Sequence, residues 1–476
     1  MRNKFFFVIF MGIVFFQGQI SAQLRLPAVI GSNMVLQQQD SVALWGWAGP
    51  GEKVFVTTGW DNKSDSVKVS NGARWKLKVK TPAAGGPFNI NITTRGKTIT
   101  LQNVMIGEVW VCSGQSNMEW SYNNGEKDTR NELAGCATNN IHFLNIPKTT
   151  ADAPQDDIKA EWTACDSITI KGFSAVGYFF GKKLQQQLNV PIGLINSSWG
   201  GTPAEVWAPE EAVTTEPVLK AAAAKLTPAA WWPHQPGLAY NAMIAPFVSY
   251  NIAGAIWYQG EANTNTNDTY SKLLGTMIGA WRTAWKKDFP FYYVQIAPYK
   301  YGNNNIGALL QEAQTKTMSF PNVGMVVITD LIDSVTNIHP SHKLQVGNRL
   351  ANWALAETYK LPGISYKNPE YKTAEVKNNS ITISFNNAPN GIQIKDGPVK
   401  GLYISGANEN WLPAEARIEK GKMVVWNKQL KQPVYLRYGF GNTLVGNIFS
   451  AEGLPLTPFR TDNWPVDQTP ITNTNK

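Results

Sequence analysis

The sequence predicts an α/β protein, with a parallel sheet in the middle of the chain and a β-rich region on either side. Three observations predict it. From about 106 to 362, apolar runs alternate with segments of helical spacing, as strands joined by crossover helices do. From 24 to about 105, short alternating segments are separated by Gly/Pro turns. From about 366 to 465 that β character returns.

The chain opens on Arg2 and Lys4, then an apolar run from Phe5 to Phe16 that is too short to span a bilayer. Ser21 and Ala22 supply small residues for cleavage. Residues 1–22 therefore read as a secretory signal, with the exported chain starting near Gln23. No later segment is apolar enough for a membrane span.

Residues 23–105 read as a small β-sandwich domain. Its strands include Val42 to Trp47, Lys53 to Thr57, Trp75 to Val79, Asn89 to Thr93 and Thr98 to Leu101, with a turn over 49–51. In the central domain, 106–362, Val109 to Cys112 reads as a buried strand. Ser174 caps a helix from Ala175 to about Leu188, followed by a strand from Val190 to Asn196. Further strands are expected over Ile252 to Tyr258, Phe291 to Ile296 and Gly324 to Thr329. Helices are expected over Tyr270 to Trp285, Ile306 to Met318 and Lys343 to about Tyr359. Residues 363–465 form a second β-rich region, including Ser380 to Phe385 and Met423 to Trp426. The Thr/Asn/Pro-rich 466–476 read as a loose tail.

Composition narrows the function. Hydrophobic residues are 43% and charged ones 16%, a globular balance. The net charge of +9 includes Arg2 and Lys4 and is not gathered into a basic block, which argues against nucleic-acid binding. Eighteen Trp suit sugar contacts or a β-rich core, and the core explains most of them. The three cysteines lack zinc-site spacing; with Cys112 in a buried strand, Cys136 and Cys165 are the candidate disulfide pair.

Chemistry enters at Gly114-Gln115-Ser116-Asn117-Met118. A small-polar turn directly after a strand lifts a hydroxyl to the sheet rim, where open α/β proteins bind ligands. Alone, those five residues read better as a plain strand-ending turn. Three other loops follow predicted strands: Asn196 to Thr202, Gln259 to Asn263 and Asp330 to His339. In a parallel sheet these ends converge on one edge.

A serine hydroxyl needs a base, and histidine suits that role near neutral pH. Of four histidines, His142 lies between apolar residues and His234 has no evident partner. His339 follows a strand end and is the candidate base, while His342 starts the next helix. Pro340 between these two and the lack of a third ligand argue against a metal site. The oxyanion needs fixed donors, which the N–H groups of Ser116 and of Gly200 or Gly201 would supply, with the side-chain amides of Gln259 or Asn263.

Taken together, these residues resemble the sialate O-acetylesterase family of SGNH hydrolases. The resemblance rests on Gly107-Glu108-Val109-Trp110 leading into Gly114 to Glu119, on Asn196 to Pro203, on Trp257 to Asn263 and on Ile338-His339-Pro340. It extends to Met34 to Gln37, to Gly453-Leu454-Pro455 and to Pro458 to Asp462. It implies a flavodoxin-like three-layer α/β/α core with accessory β regions and removal of O-acetyl groups from sugars without a cofactor. By position, Ser116 is then the nucleophile and His339 the base. Many SGNH enzymes carry the triad acid three residues before the histidine, where this chain has Thr336. Asp333 is the expected replacement, with Asp330 or a Ser–His dyad as alternatives and Glu261 as hydrogen-bonding support.

The reading is an exported serine esterase acting on O-acetylated sugars, with sialic acids first and acetylated xylan as the alternative. Two other classes compete. A non-catalytic carbohydrate-binding protein would not need Ser116 and His339 together. A glycosidase would need paired carboxylates, for which Glu261 and Asp330 are available.

Overall fold

The computed structural model of the chain describes residues 23–471. The expected leader, residues 1–22, and the last five residues of the tail lie outside that range. The described residues form a mixed α/β structure around a largely parallel sheet. Seven of its strands position the site: β1 (Lys97–Gly114), β2 (Thr138–Asn145), β3 (Trp162–Cys165), β4 (Ile192–Ser198), β5 (Gly254–Tyr258), β6 (Phe291–Val294) and β7 (Val323–Val326). They lie in the order β7-β6-β5-β1-β4-β2-β3, all parallel except the edge strand β3.

Order and burial explain one another. Both faces of this sheet are covered, so its strands are apolar throughout and do not alternate. Val109 and Val111 of β1 point into one core with Trp257, Phe291 and Tyr293. Trp110 and Cys112 point into the other with Ile256, Tyr292 and Val294. Helices α1 (Ala175–Leu188) and α4 (Lys343–Trp353) cover the second core. Helices α2 (Asn267–Trp285) and α3 (Ile306–Thr317) cover the first. Each large apolar side chain buried here contributes about 1.5–3 kcal/mol. Ser174 caps α1 as expected, accepting a hydrogen bond from the Gly177 N–H. Gly347 lets α4 lie directly on α1, because a Cβ there would sit 2.8 Å from the Val176 carbonyl oxygen and from the Phe179 Cβ.

The expected boundary near 105/106 falls inside one strand. β1 alternates exposed residues with half-buried or buried ones over 97–103 and is buried at every position over 104–114. Its first half pairs antiparallel with Gly85–Thr94, and Val35–Gln37 joins it in parallel at 105–107. Strands Ser41–Trp47 and Arg74–Lys80 form the facing two-stranded sheet. The change of period marks the point where one strand passes from a one-sided sheet to a two-sided one. The C-terminal strands form separate antiparallel sheets around their own core, with Ile381, Ile404, Val425 and Leu436 at its centre.

Cys112, Cys136 and Cys165 are all buried free thiols, so the expected Cys136–Cys165 bridge is not formed. Among the described residues no helix is long and apolar enough to cross a membrane.

Candidate active site

Ser116 stands where the central strand ends. Gly114 closes β1 with φ +135°, and a Cβ there would run into the Tyr258 carbonyl oxygen. Glycine is therefore required for β1 and β5 to end side by side. The chain then turns into a short helix, Ser116–Glu119, whose first residue is the serine. Ser116 is half-buried, with its hydroxyl at the rim.

The loop from β7 to α4 carries His339 to it. His339 Nε2 lies 2.9 Å from Ser116 Oγ. The imidazole stacks on Trp120, with ring centroids 4.2 Å apart and planes at 21°. The His339 N–H donates to Asn337 Oδ1, which shapes the turn. Burial lowers the His339 pKa, and the nearby Lys343 cation lowers it further. The ring is thus held in the neutral form that can accept a proton.

His142 and His342 sit as expected, away from this role. His142 is fully buried against Asn33 and Asn139. His342 Nε2 lies 3.8 Å from Asp333 Oδ1, at the start of α4.

The expected acid is not at the ring. Asp333 accepts hydrogen bonds from the Ser341 N–H (2.8 Å) and the Ser341 hydroxyl (2.5 Å) and faces His342. Those contacts hold its carboxyl below the usual range and fold the loop back on itself. Asp330 is bound by both terminal nitrogens of Arg349, at 2.7 and 2.6 Å, so it too is occupied. Among the described residues no carboxylate is hydrogen-bonded to the His339 imidazole. Asp333→Asn is accordingly expected to lower kcat by less than about tenfold, whereas an acid that orients its histidine costs about 10⁴-fold. Steady-state kinetics on an acetyl ester check this, and a loss near the larger figure would restore Asp333 to the triad.

The oxyanion donors are also partly reassigned. Gly200 lies against the serine, since a Cβ on it would be 3.3 Å from Ser116 Cβ. Its N–H, however, donates to Glu119 Oε2 at 2.6 Å, and Glu119 is ion-paired with Lys148. Gly201 follows beneath the Trp232 ring. Gln259 and Asn263 are fully buried and hold each other. Gln259 Nε2 donates to Asn263 Oδ1 (2.8 Å) and to the Thr202 carbonyl (3.2 Å), and Asn263 Nδ2 donates to Glu205 Oε2 (2.9 Å). Their amides brace the loop after β4, and both amide nitrogens already have acceptors. Gln115, given no role in the sequence reading, joins them by accepting from the N–H groups of Gly260 and Ala262, both at 3.3 Å.

Glu261 is buried behind the serine, and burial raises its pKa. Its Oε1 accepts from Asn117 Nδ2 at 2.6 Å, so it supports the residue next to Ser116. Two further participants were given no role in the sequence reading. Asn117 and Lys343 are both fully buried, and Lys343 Nζ donates to Asn117 Oδ1 at 2.6 Å. Lysine at the start of a predicted helix reads as a surface residue, so periodicity alone offered no signal for it.

A family profile described as carbohydrate esterase, sialic acid-specific acetylesterase matches residues 106–356. A sialate O-acetylesterase of Pongo abelii is 29% identical over 430 residues, covering 82% of each chain. That of Homo sapiens is 28% identical with the same coverage. The crystal structure of a carbohydrate acetylesterase from Xanthomonas citri is similar at TM-score 0.85 and 31% identity, over 93% of this chain and 100% of that one.

Proposed function

The chain belongs to the sialic acid-specific acetylesterase family of carbohydrate esterases, and on that footing we propose that it removes O-acetyl groups from sugars by way of an acetyl-Ser116 intermediate. It is a carboxylic ester hydrolase. The observation that carries the mechanism is the 2.9 Å approach of His339 Nε2 to Ser116 Oγ at the end of the central parallel strand.

In this reading Ser116 Oγ attacks the acetyl carbonyl carbon as His339 takes the hydroxyl proton. The tetrahedral oxyanion collapses, and the C–O bond to the sugar breaks. His339 returns the proton to the departing sugar oxygen. A water molecule then attacks the acetyl-enzyme, again giving its proton to His339, and acetate leaves as Ser116 regains its own. The pair works as a dyad, with Trp120 stacking and the Asn337 turn holding the imidazole in place of an acid.

The Ser116 N–H is a candidate oxyanion donor, because the first N–H groups of a helix have no partners within it. The Gly201 N–H is the second candidate, and the Gly200 N–H joins them if Glu119 yields it. The arrangement of nucleophile and base supports an SGNH-type core, with helices on both faces of the sheet. Residues 1–22 fit an export leader cleaved near Ala22, and the proposed place of action is accordingly outside the cytoplasm.

O-Acetylated sialic acids are the leading substrate, since the relatives carrying that activity in their names align over most of both chains. Acetate release from a panel of O-acetylated sialic acids and acetylated xylan tests this. The sialic acids are expected to be the better substrates, and faster release from xylan would move the assignment to plant polysaccharide. Reducing sugar released from an unacetylated glycan, without acetate, would instead mark a glycosidase and overturn the esterase reading.

A further inference from the structure

Lys343 is a charge in an unfavourable place. It is fully buried, and it opens α4, where the helix dipole repels a cation. Its hydrogen bond goes to a neutral amide oxygen, that of Asn117, and acyl transfer as described makes no use of it. We propose that Lys343 is a positioning residue, fixing the orientation of Asn117 so that Asn117 ties the His339 loop to the element that carries Ser116. This inference rests on Ser116 and His339 being nucleophile and base.

The geometry is over-determined. Asn117 has one acceptor oxygen and one donor nitrogen. The oxygen receives Lys343 Nζ at 2.6 Å. The nitrogen donates to Glu261 Oε1 at 2.6 Å and to the Ile338 carbonyl at 3.0 Å. A flipped amide would aim its NH₂ at the ammonium and its oxygen at a carbonyl and a carboxyl, which opposes all three contacts. Ile338 immediately precedes His339, and Asn117 immediately follows Ser116. One side chain therefore spans the two halves of the dyad, and the ammonium decides which way round it sits.

Electrostatics point the same way. Burial lowers the Lys343 pKa to about 7, against the upward pull of Glu261, Glu126, Asp333 and Asp128. The Tyr258 ring also faces the ammonium, 5.2 Å from Nζ to the ring centroid, and His342 precedes it in the chain. Below about that pH the charged ammonium disfavours the His339 imidazolium, consistent with the lowered His339 pKa. Removing the charge should raise it.

The test compares Lys343→Met and Asn117→Asp in the full chain, using p-nitrophenyl acetate. Competent sites are counted with a serine-directed fluorophosphonate, and melting is followed in parallel. For Lys343→Met, kcat per labelled site should fall about 10- to 100-fold, with KM nearly unchanged, and the acid limb of kcat/KM should move to higher pH. Asn117→Asp keeps an acceptor for Lys343 but sets an oxygen against Ile338 and Glu261, so it should lose a similar factor in kcat.

Unchanged kcat per site with an unmoved acid limb in Lys343→Met overturns the proposal, even if the melting temperature drops, because packing alone would produce that drop. Should Lys343→Met not fold, Asn117→Asp decides: a wild-type kcat per site there overturns it equally. Hydrolysis by Ser116→Ala at the wild-type rate would instead remove the nucleophile reading itself. An inactive Ser116→Ala beside an unaffected Lys343→Met would remove only the positioning role.

Discussion

Ser116→Ala is expected to lower kcat on acetyl esters by at least about 10⁴-fold, as loss of a serine nucleophile does elsewhere. The residue is half-buried at the rim, and the hydrogen bond of its hydroxyl is the one with His339. Its removal opens no core cavity and leaves no buried partner unpaired, so melting should move by no more than a few degrees. A large kinetic loss with intact folding separates a nucleophile from a structural turn. Intact-mass measurement during turnover adds a second check: the wild type should carry an acetyl adduct and Ser116→Ala should not. A variant that hydrolyses the ester at the parent rate would end the proposed mechanism and return Gly114 to Met118 to the status of a turn.

His339→Ala is expected to cost about as much, because nucleophile and base act as a unit and their losses do not add. The double variant with Ser116→Ala should therefore be no slower than either single one. The pH profile supplies a further check. Burial and the Lys343 charge hold the His339 pKa below its ordinary value. A base must be unprotonated to act, so activity should persist as pH falls to below the usual histidine range and be lost as the imidazole protonates. In kcat/KM this appears as an acid limb displaced downward. A limb above the ordinary histidine value would contradict the observed surroundings of the ring, whichever residue is the nucleophile.

Much of the central architecture was legible because a two-sided parallel sheet forces an unambiguous pattern. Helix α1 was read over 175–188 with its Ser174 cap, and that is its extent. Five strands of the parallel sheet were visible as apolar runs, and their ends put Ser116 and His339 at one edge, whereas Thr138–Asn145 and Trp162–Cys165, on the far side of the sheet, were not read as strands. The partners of the loop side chains were not legible. Asp333 was the expected acid only as a replacement, because Thr336 occupies the spacing the family uses, yet its carboxylate is held by Ser341 eight residues on. Contacts within an irregular loop follow no period, and a difference of one turn in that loop decides which group meets the ring. The same holds for Gln259 and Asn263, whose amides looked free for an oxyanion but are closed into a buried network with Glu205 and Thr202. Lys343 drew no reading beyond opening a helix: a lysine there carries no sequence signal for burial, and it is fully buried under the histidine loop.

The eighteen-residue strand that delivers Ser116 has a consequence for modularity. Accessory units are commonly joined through linkers that let them reorient, or be lost, without disturbing the enzyme. Here no linker separates the N-terminal β unit from the nucleophile, since a single rigid ribbon belongs to both. The unit is thereby joined to the serine turn by continuous hydrogen-bonded strand. Excising it would not release an independent hydrolase: the cut would fall within hydrogen-bonded backbone and strip the Val35–Gln37 strand from the 105–107 segment. Recombination in this lineage should thus exchange the two parts together.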